Sequence, residues 1–204
     1  MDKKYGFIVF DLGNTIIRFD HNISAKKFSN LFRMDSKKIY DLFFDSPITR
    51  DFETGAISPW EFYTRASALL RVKIPYSDFV SIWNDIFWED LPMCELAREL
   101  KKSYKLFLLS NINRLHFEHI RRKFGIIEIF DELILSFVVG AMKPDRAIYD
   151  DVIRRAGGQK EKILYIDDRE DLIKEALSLG IDSIRFEGIE KLKETMREKG
   201  ITPP

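Results

Sequence analysis

Four short stretches of a 204-residue chain carry side chains that could do chemistry together. Asp11 stands before Leu12-Gly13-Asn14-Thr15, Ser110 precedes Asn111, Lys143 precedes Pro144, and Asp167 is followed by Asp168. Singly, each is bland: an aspartate after a strand often caps a helix, and a Lys-Pro pair often makes a surface turn. Brought to one place, they form a coherent electrostatic set. Three carboxylates cannot sit close together without a cation, and hard oxygen ligands suit Mg²⁺. Ser110 and Lys143 would then offer a hydroxyl and a positive charge to the far side of a phosphate.

The elements that must position these residues can be read from the runs beside them. Phe7-Ile8-Val9-Phe10 leads into Asp11, Leu106-Phe107-Leu108-Leu109 into Ser110, and Ile163-Leu164-Tyr165-Ile166 into Asp167. Leu133-Ile134-Leu135 lies upstream of Lys143, and a weaker run is Ser183-Ile184-Arg185-Phe186. Continuous apolar runs of this length predict strands buried on both faces. Helical periodicity falls between them, over 95–102, 115–124, 147–156, 172–179 and 189–199, with Gly180 and Gly200 where a helix commonly stops. The alternation predicts an α/β fold, a doubly wound parallel sheet with its ligand site outside the carboxyl ends of the strands.

Residues 18–94 break the alternation and read as helical throughout, with no strand. Phe28, Leu31 and Phe32 mark one helix, and Ile39, Leu42 and Phe43 a second. Ser58-Pro59-Trp60-Glu61 starts a third, with an N-cap serine, a proline at the first helical position and a capping-box glutamate. A fourth is expected from Ser77, carrying Phe79, Ile82, Trp83 and Ile86. The expected organisation is a core of residues 1–17 and 95–204, with 18–94 inserted after the first strand as an α-helical cap. Trp60, Tyr63, Trp83 and Trp88 could fill that bundle or stack on a ligand, and Phe52 to Gly55 is expected to be a loop facing the site.

Composition bounds the partners. Hydrophobic residues make up 45% of the chain, enough to exclude disorder as its overall state. The 33 basic residues balance 33 acidic ones, so no global field draws nucleic acid or an anionic membrane. One cysteine, Cys94, and three histidines make neither an internal disulfide nor a standard zinc site. Met1 to Gly6 lead into only four apolar residues, too few for a signal peptide, and no stretch approaches a membrane span. The expectation is a soluble, cytoplasmic protein acting on a small molecule, with the oligomeric state left open.

Phe10-Asp11-Leu12-Gly13-Asn14-Thr15, Leu109-Ser110-Asn111, Lys143-Pro144 and Ile166-Asp167-Asp168 together resemble, in order, the four motifs of the haloacid dehalogenase superfamily. The insertion is similar to that superfamily's helical cap. More narrowly, Asp-Leu-Gly-Asn, Ser110 to His116 and Lys143-Pro144 through Ile148-Tyr149 resemble the branch containing bacterial glucose 1-phosphate phosphatases. The resemblance implies an Mg²⁺-dependent phosphatase of a small phosphorylated metabolite, with Asp11 as the nucleophile forming an aspartyl-phosphate. It implies a metal held by Asp11, the Gly13 carbonyl and Asp168, with Asp167 acting directly or through water. Ser110, the amide of Asn111 and the first turn with Asn14 would bind phosphoryl oxygens, Lys143 would offset charge, and Thr15 would order the first turn by hydrogen bonding.

Phosphatases of this superfamily usually carry a second aspartate two residues after the nucleophile, as general acid and base. Here that position is Gly13. Losing such assistance is worth roughly 10²–10⁴-fold, which favours a leaving group needing little protonation, such as the anomeric hydroxyl of a sugar 1-phosphate. His116 or His21 could substitute as proton donor; for His116 a structural role weighs equally, and for His21 a structural or solvated role weighs more. Arg114 could face the pocket or make a surface ion pair, and Asp171 reads as a first-turn helix carboxylate. Two rival functions remain: a 2-haloacid dehalogenase, against which the Asp167-Asp168 pair counts, and a catalytically weak binding or regulatory protein.

Overall fold

A computed structural model describes residues 4–201, so the start of the leader reading, Met1 to Lys3, lies outside the described residues. The apolar runs form five parallel strands: β1 (Phe7–Phe10), β4 (Lys105–Ser110), β5 (Glu132–Leu135), β6 (Ile163–Asp167) and β7 (Asp182–Arg185). Their order is β5-β4-β1-β6-β7, with β1 at the centre and Phe10 in register with Leu108 on one side and Ile166 on the other.

Alternate residues of these strands feed two separate cores. Ile8, Phe10, Leu106, Leu108, Leu164 and Ile166 face one side, packed against α6 (Leu91–Lys101), α7 (Arg114–Lys123) and α11 (Ile189–Glu198). Val9, Phe107, Leu109, Ile163 and Tyr165 face the other, packed against α9 (Arg146–Arg155) and α10 (Glu170–Ser178). Helices on both faces of a parallel sheet explain why the strands read as continuous apolar runs. The doubly wound α/β fold expected from the sequence is therefore the one observed, and the two faces anchor the strand ends that carry the site.

The inserted segment builds α1 (His21–Phe32), α2 (Ser36–Phe44), α3 (Pro47–Glu53), α4 (Pro59–Leu70) and α5 (Tyr76–Asn84) around a third core. The expected capping box is present: the Ser58 hydroxyl accepts from the Glu61 N–H, and the Glu61 carboxylate accepts from the Ser58 N–H at 2.8 Å. Phe28, Phe43, Phe62, Phe79 and Trp83 are fully buried here, each stabilising the bundle by about 1.5–3 kcal/mol relative to exposure. Leu115 of α7 belongs to the same core, and His116 stacks on Trp83 with ring centroids 4.9 Å apart. The cap is thereby seated on the core domain through α7.

Three expectations for this segment need correction. The segment is not wholly helical: β2 (Ile17–Phe19) and β3 (Phe87–Glu89) pair antiparallel where the chain enters and leaves the cap. Three residues are too few to show a period of two, and the partner is distant in sequence, so no local signal marks the ribbon. Phe52 and Glu53 end helix α3 rather than lying in a loop, behind a proline at that helix's start. The last cap helix begins at Tyr76 and stops at Asn84, leaving Ile86 beyond it. Short α8 (Ser136–Val139) follows β5 and meets the end of α3, where the Ser136 hydroxyl donates to the Glu53 carbonyl at 2.6 Å. Among the described residues no helix is long and apolar enough to cross a membrane.

Candidate active site

The central strand delivers Asp11 between its neighbours' ends. Its N–H donates to the Ile166 carbonyl at 2.8 Å, continuing the β1–β6 ladder one residue beyond the strand. Asp167 is the last residue of β6 and Ser110 the last of β4, so two adjacent strands present their termini beside it. The chain then turns tightly. Ile16 and Ile17 donate to the Leu12 carbonyl, Asn14 donates to Ile17, and Asn14 adopts φ 54°, a left-handed conformation that asparagine tolerates.

Lys143 is 4% exposed and ties the cluster together. Its Nζ donates to Asp11 Oδ1 at 2.6 Å, to Asp167 Oδ2 at 2.7 Å and to the Tyr165 hydroxyl at 3.2 Å. The Tyr165 hydroxyl in turn donates to Asp167 Oδ2, and the Arg169 N–H donates to Asp167 Oδ1 at 2.8 Å. Asn111 fixes the backbone of Lys143: Asn111 Oδ1 accepts from its N–H at 2.7 Å, and Nδ2 donates to its carbonyl at 2.8 Å. The Asn111 side chain is thus a clamp on Lys143 rather than a substrate ligand.

One buried ammonium stands against three carboxylates. Burial pushes the Asp11 carboxyl up to about 7, and the Asp167 charge adds to this against the pull of Lys143. Asp168, half-buried, is raised by burial and by Asp167. For Lys143, burial favours the neutral form, but Asp11 and Asp167 outweigh it and hold the ammonium above its usual value. Oxygens of Asp11, Asp167 and Asp168 lie within 4.8 Å of one another. A hard-oxygen set with uncompensated negative charge fits a divalent cation of the Mg²⁺ kind.

One cleft opens onto this cluster and a second adjoins it. One, of about 150 Å³, is lined by Asp11, Gly13, Asn14, Ser110, Asn111, Lys143, Asp167 and Asp168, so it gathers all but two of the sequence-predicted residues. The other, of about 220 Å³, shares Gly13, Ser110 and Asn111 and extends beneath the cap to His21, Glu53, Phe87 and His116. Its remaining walls are largely apolar, including Leu12, Ile17, Phe19 and Met142.

The exceptions are Thr15 and His116. Thr15 is fully buried, and its hydroxyl has no hydrogen-bond partner among the described residues. The first turn is closed by main-chain bonds instead, so the expected ordering hydrogen bond from Thr15 is absent. His116 lines the second cleft, but both ring nitrogens are engaged, with Asn113 Nδ2 at 3.0 Å and with the Trp83 carbonyl at 3.2 Å. Burial pulls it well below the usual histidine range. It is a neutral packing residue of the cap–core seam, not a proton donor. His21 is also held neutral: burial lowers it to about 4, and its ring stacks on Phe44 at 4.0 Å.

The tryptophans do not face the clefts: Trp83 is cap core, while Trp60 and Trp88 are exposed. The aromatic walls come instead from Phe19 and Phe87, which lie on the ribbon that local periodicity does not reveal. Arg114 pairs with Glu118 on the surface, and Asp171 pairs with Arg169 in the first turn of α10. Arg169, Tyr165 and Glu53 carry no sequence signal beyond position; Glu53 is half-buried, and loss of solvent pushes its carboxyl up to about 7.

A family model described as haloacid dehalogenase-like hydrolase matches residues 6–180. A D-ribitol-5-phosphate phosphatase of Bacteroides thetaiotaomicron is 27% identical over 88% of this chain and 91% of its own length. A sesquiterpene phosphatase of Aspergillus oryzae is 22% identical, covering 85% of each chain. Among solved structures, a HAD family enzyme of B. thetaiotaomicron in complex with magnesium superposes with a TM-score of 0.84 at 25% identity, covering 96% of this chain and 100% of that one. These relatives carry ribitol-phosphate and sesquiterpene names, so the narrower resemblance to glucose 1-phosphate phosphatases is not what they support.

Proposed function

Because this chain belongs to the haloacid dehalogenase-like hydrolase family, we propose that it is an Mg²⁺-dependent phosphomonoesterase acting on a small phosphorylated metabolite through an aspartyl-phosphate on Asp11. The observation that carries this reading is the buried cluster in which Lys143 bridges Asp11 and Asp167 while Asp168 completes a hard-oxygen set. A nucleophilic carboxylate needs to be held in one orientation, and the Lys143 contact at 2.6 Å does that. Ser110, with the main-chain amide of Asn111 and the first turn carrying Asn14, lines the same cleft and would take the phosphoryl oxygens. Uncompensated negative charge would repel a free carboxylate substrate, which disfavours dehalogenation.

Asp167 already accepts hydrogen bonds on both oxygens. Asp11, Asp168 and the Gly13 carbonyl would therefore hold the ion, with Asp167 orienting Lys143 beside them. The ion, when bound, would supply charge neutralisation at the transferring phosphoryl group. Gly13 leaves the first turn without a proton donor, so any donor must reach the leaving oxygen from another wall of the cleft, and a leaving group that needs little protonation is the least demanding. A sugar 1-phosphate is our preferred substrate class on that ground. The apolar walls of the cap-side cleft favour, as a second reading, an isoprenoid monophosphate.

The test is phosphate release from a panel holding a sugar 1-phosphate, the 6-phosphate of the same sugar, an alditol phosphate and an isoprenoid monophosphate. Release is expected with Mg²⁺ and not with EDTA, and fastest on the 1-phosphate. Metal-independent release would sink the metal assignment, and a faster 6-phosphate would sink the leaving-group preference.

A further inference from the structure

The cap, not the first turn, holds the proton donor: we propose that Glu53 is the general acid and base that position 13 lacks. The inference rests on the phosphatase reading and deepens it.

Position 13 itself is closed to the task. A Cβ built there would lie 2.7 Å from Phe19 Cε1, so the space beside the nucleophile's turn belongs to an aromatic ring. The donor must come from another wall of the cleft shared by Gly13, Ser110 and Asn111. Four titratable groups line it: His21, His116, Arg169 and Glu53. His116 has both ring nitrogens engaged, and His21 is held neutral by burial, so neither carries a usable acidic proton near neutrality. Arg169 is paired with Asp171 and is far too weak an acid. Glu53 remains.

Its surroundings suit the role. It also lines a third cleft, with Met142 and Lys143, which places it on the wall that joins the cap to the nucleophile's lysine. Burial alone lifts its carboxyl to about 7, close to the value at which an acid can give a proton in one step and take one in the next. Of the other charged groups of that third cleft, Arg50 and Asp145 pair with each other at 3.8 Å, Lys143 is engaged by Asp11 and Asp167, and Asp45 adds a further negative charge. Glu53 also ends α3, where the helix dipole further disfavours its anion. The position is fixed from the core: the Ser136 hydroxyl donates to the Glu53 carbonyl at 2.6 Å, and Gly55, at φ 73°, lies so close to the Phe137 carbonyl that a Cβ would sit 2.2 Å from it.

The steps balance. As the Asp11 oxygen bonds to phosphorus and the ester P–O bond breaks, the Glu53 proton passes to the leaving oxygen, giving an alcohol and a Glu53 carboxylate. That carboxylate then takes a proton from water as the water oxygen bonds to phosphorus. The bond from phosphorus to Asp11 breaks, releasing phosphate and restoring both starting residues.

Glu53→Gln keeps the shape and removes the proton. Its kcat on the best alkyl phosphate is expected to fall by roughly 10²–10⁴-fold with KM little changed. With p-nitrophenyl phosphate, whose leaving group needs no proton, the first-turnover release of p-nitrophenol should stay within about threefold, which also shows that the variant is folded, while steady-state turnover falls because water attack on the aspartyl-phosphate still needs the base. An equal loss in first-turnover rate on both esters, or no loss on either, would overturn the assignment of Glu53. Failure of the unaltered protein to hydrolyse either ester with Mg²⁺ would overturn the phosphatase reading, and this inference with it.

Discussion

Replacing Asp11 by asparagine is expected to lower Mg²⁺-dependent phosphate release by roughly 10⁴–10⁶-fold, since removing a covalent nucleophile costs on that order. The fold should survive the change. Asp11, Asp167 and Lys143 form a buried group with two carboxylates for one ammonium, and asparagine matches aspartate in shape while removing one of the negative charges. Without metal, the thermal midpoint of the variant should equal or exceed that of the parent, because the carboxyl that burial pushes up to about 7 no longer has to be accommodated as an anion. A variant that kept more than about one hundredth of the activity would show that phosphoryl transfer does not pass through Asp11.

Lys143→Ala is expected to do damage of a different kind. It removes the buried cation that touches both Asp11 and Asp167, leaving two carboxylates close together with no ammonium between them. Breaking a buried pair from one side costs about 3–5 kcal/mol, so urea unfolding in EDTA should shift to a clearly lower midpoint. Combining it with Asp11→Asn should recover part of that loss, since one of the stranded charges is gone. Activity should fall in the single variant even where the protein remains folded, because Lys143 also fixes the orientation of the nucleophile. An unchanged urea midpoint would mean that the two carboxylates are already neutral in the folded protein.

Both predictions concern residues that the sequence presents openly. Asp11, Ser110 and Asp167 follow apolar runs whose lengths make them strands, and a parallel sheet must carry such residues to one edge. Lys143 follows no strand directly, yet its neighbours in the pattern imply that it faces them. What the sequence does not present is anything made by distant partners. The ribbon of β2 and β3 joins residues about 70 positions apart, and it brings Phe19 and Phe87 into the cleft in place of the tryptophans. Asn111 is expected from its place beside Ser110 to offer its main-chain amide, but nothing local shows that its side-chain amide is matched to the backbone of Lys143. His116 looks like an acid until the Trp83 carbonyl and Asn113 are found on its two nitrogens. Glu53 stands in a cap helix that only its proline start could have revealed, and its main-chain carbonyl is held by Ser136 of α8, 83 positions further along the chain.

The mechanism turns on the aspartyl-phosphate at Asp11, and that intermediate can be trapped. The protein would be mixed with an active phosphate ester and Mg²⁺, quenched in acid within one turnover, digested, and mapped by mass spectrometry. A phosphoryl adduct on Asp11, present with Mg²⁺ and absent with EDTA, is the expected result. Turnover without any adduct on Asp11, or an adduct on another residue, would contradict it.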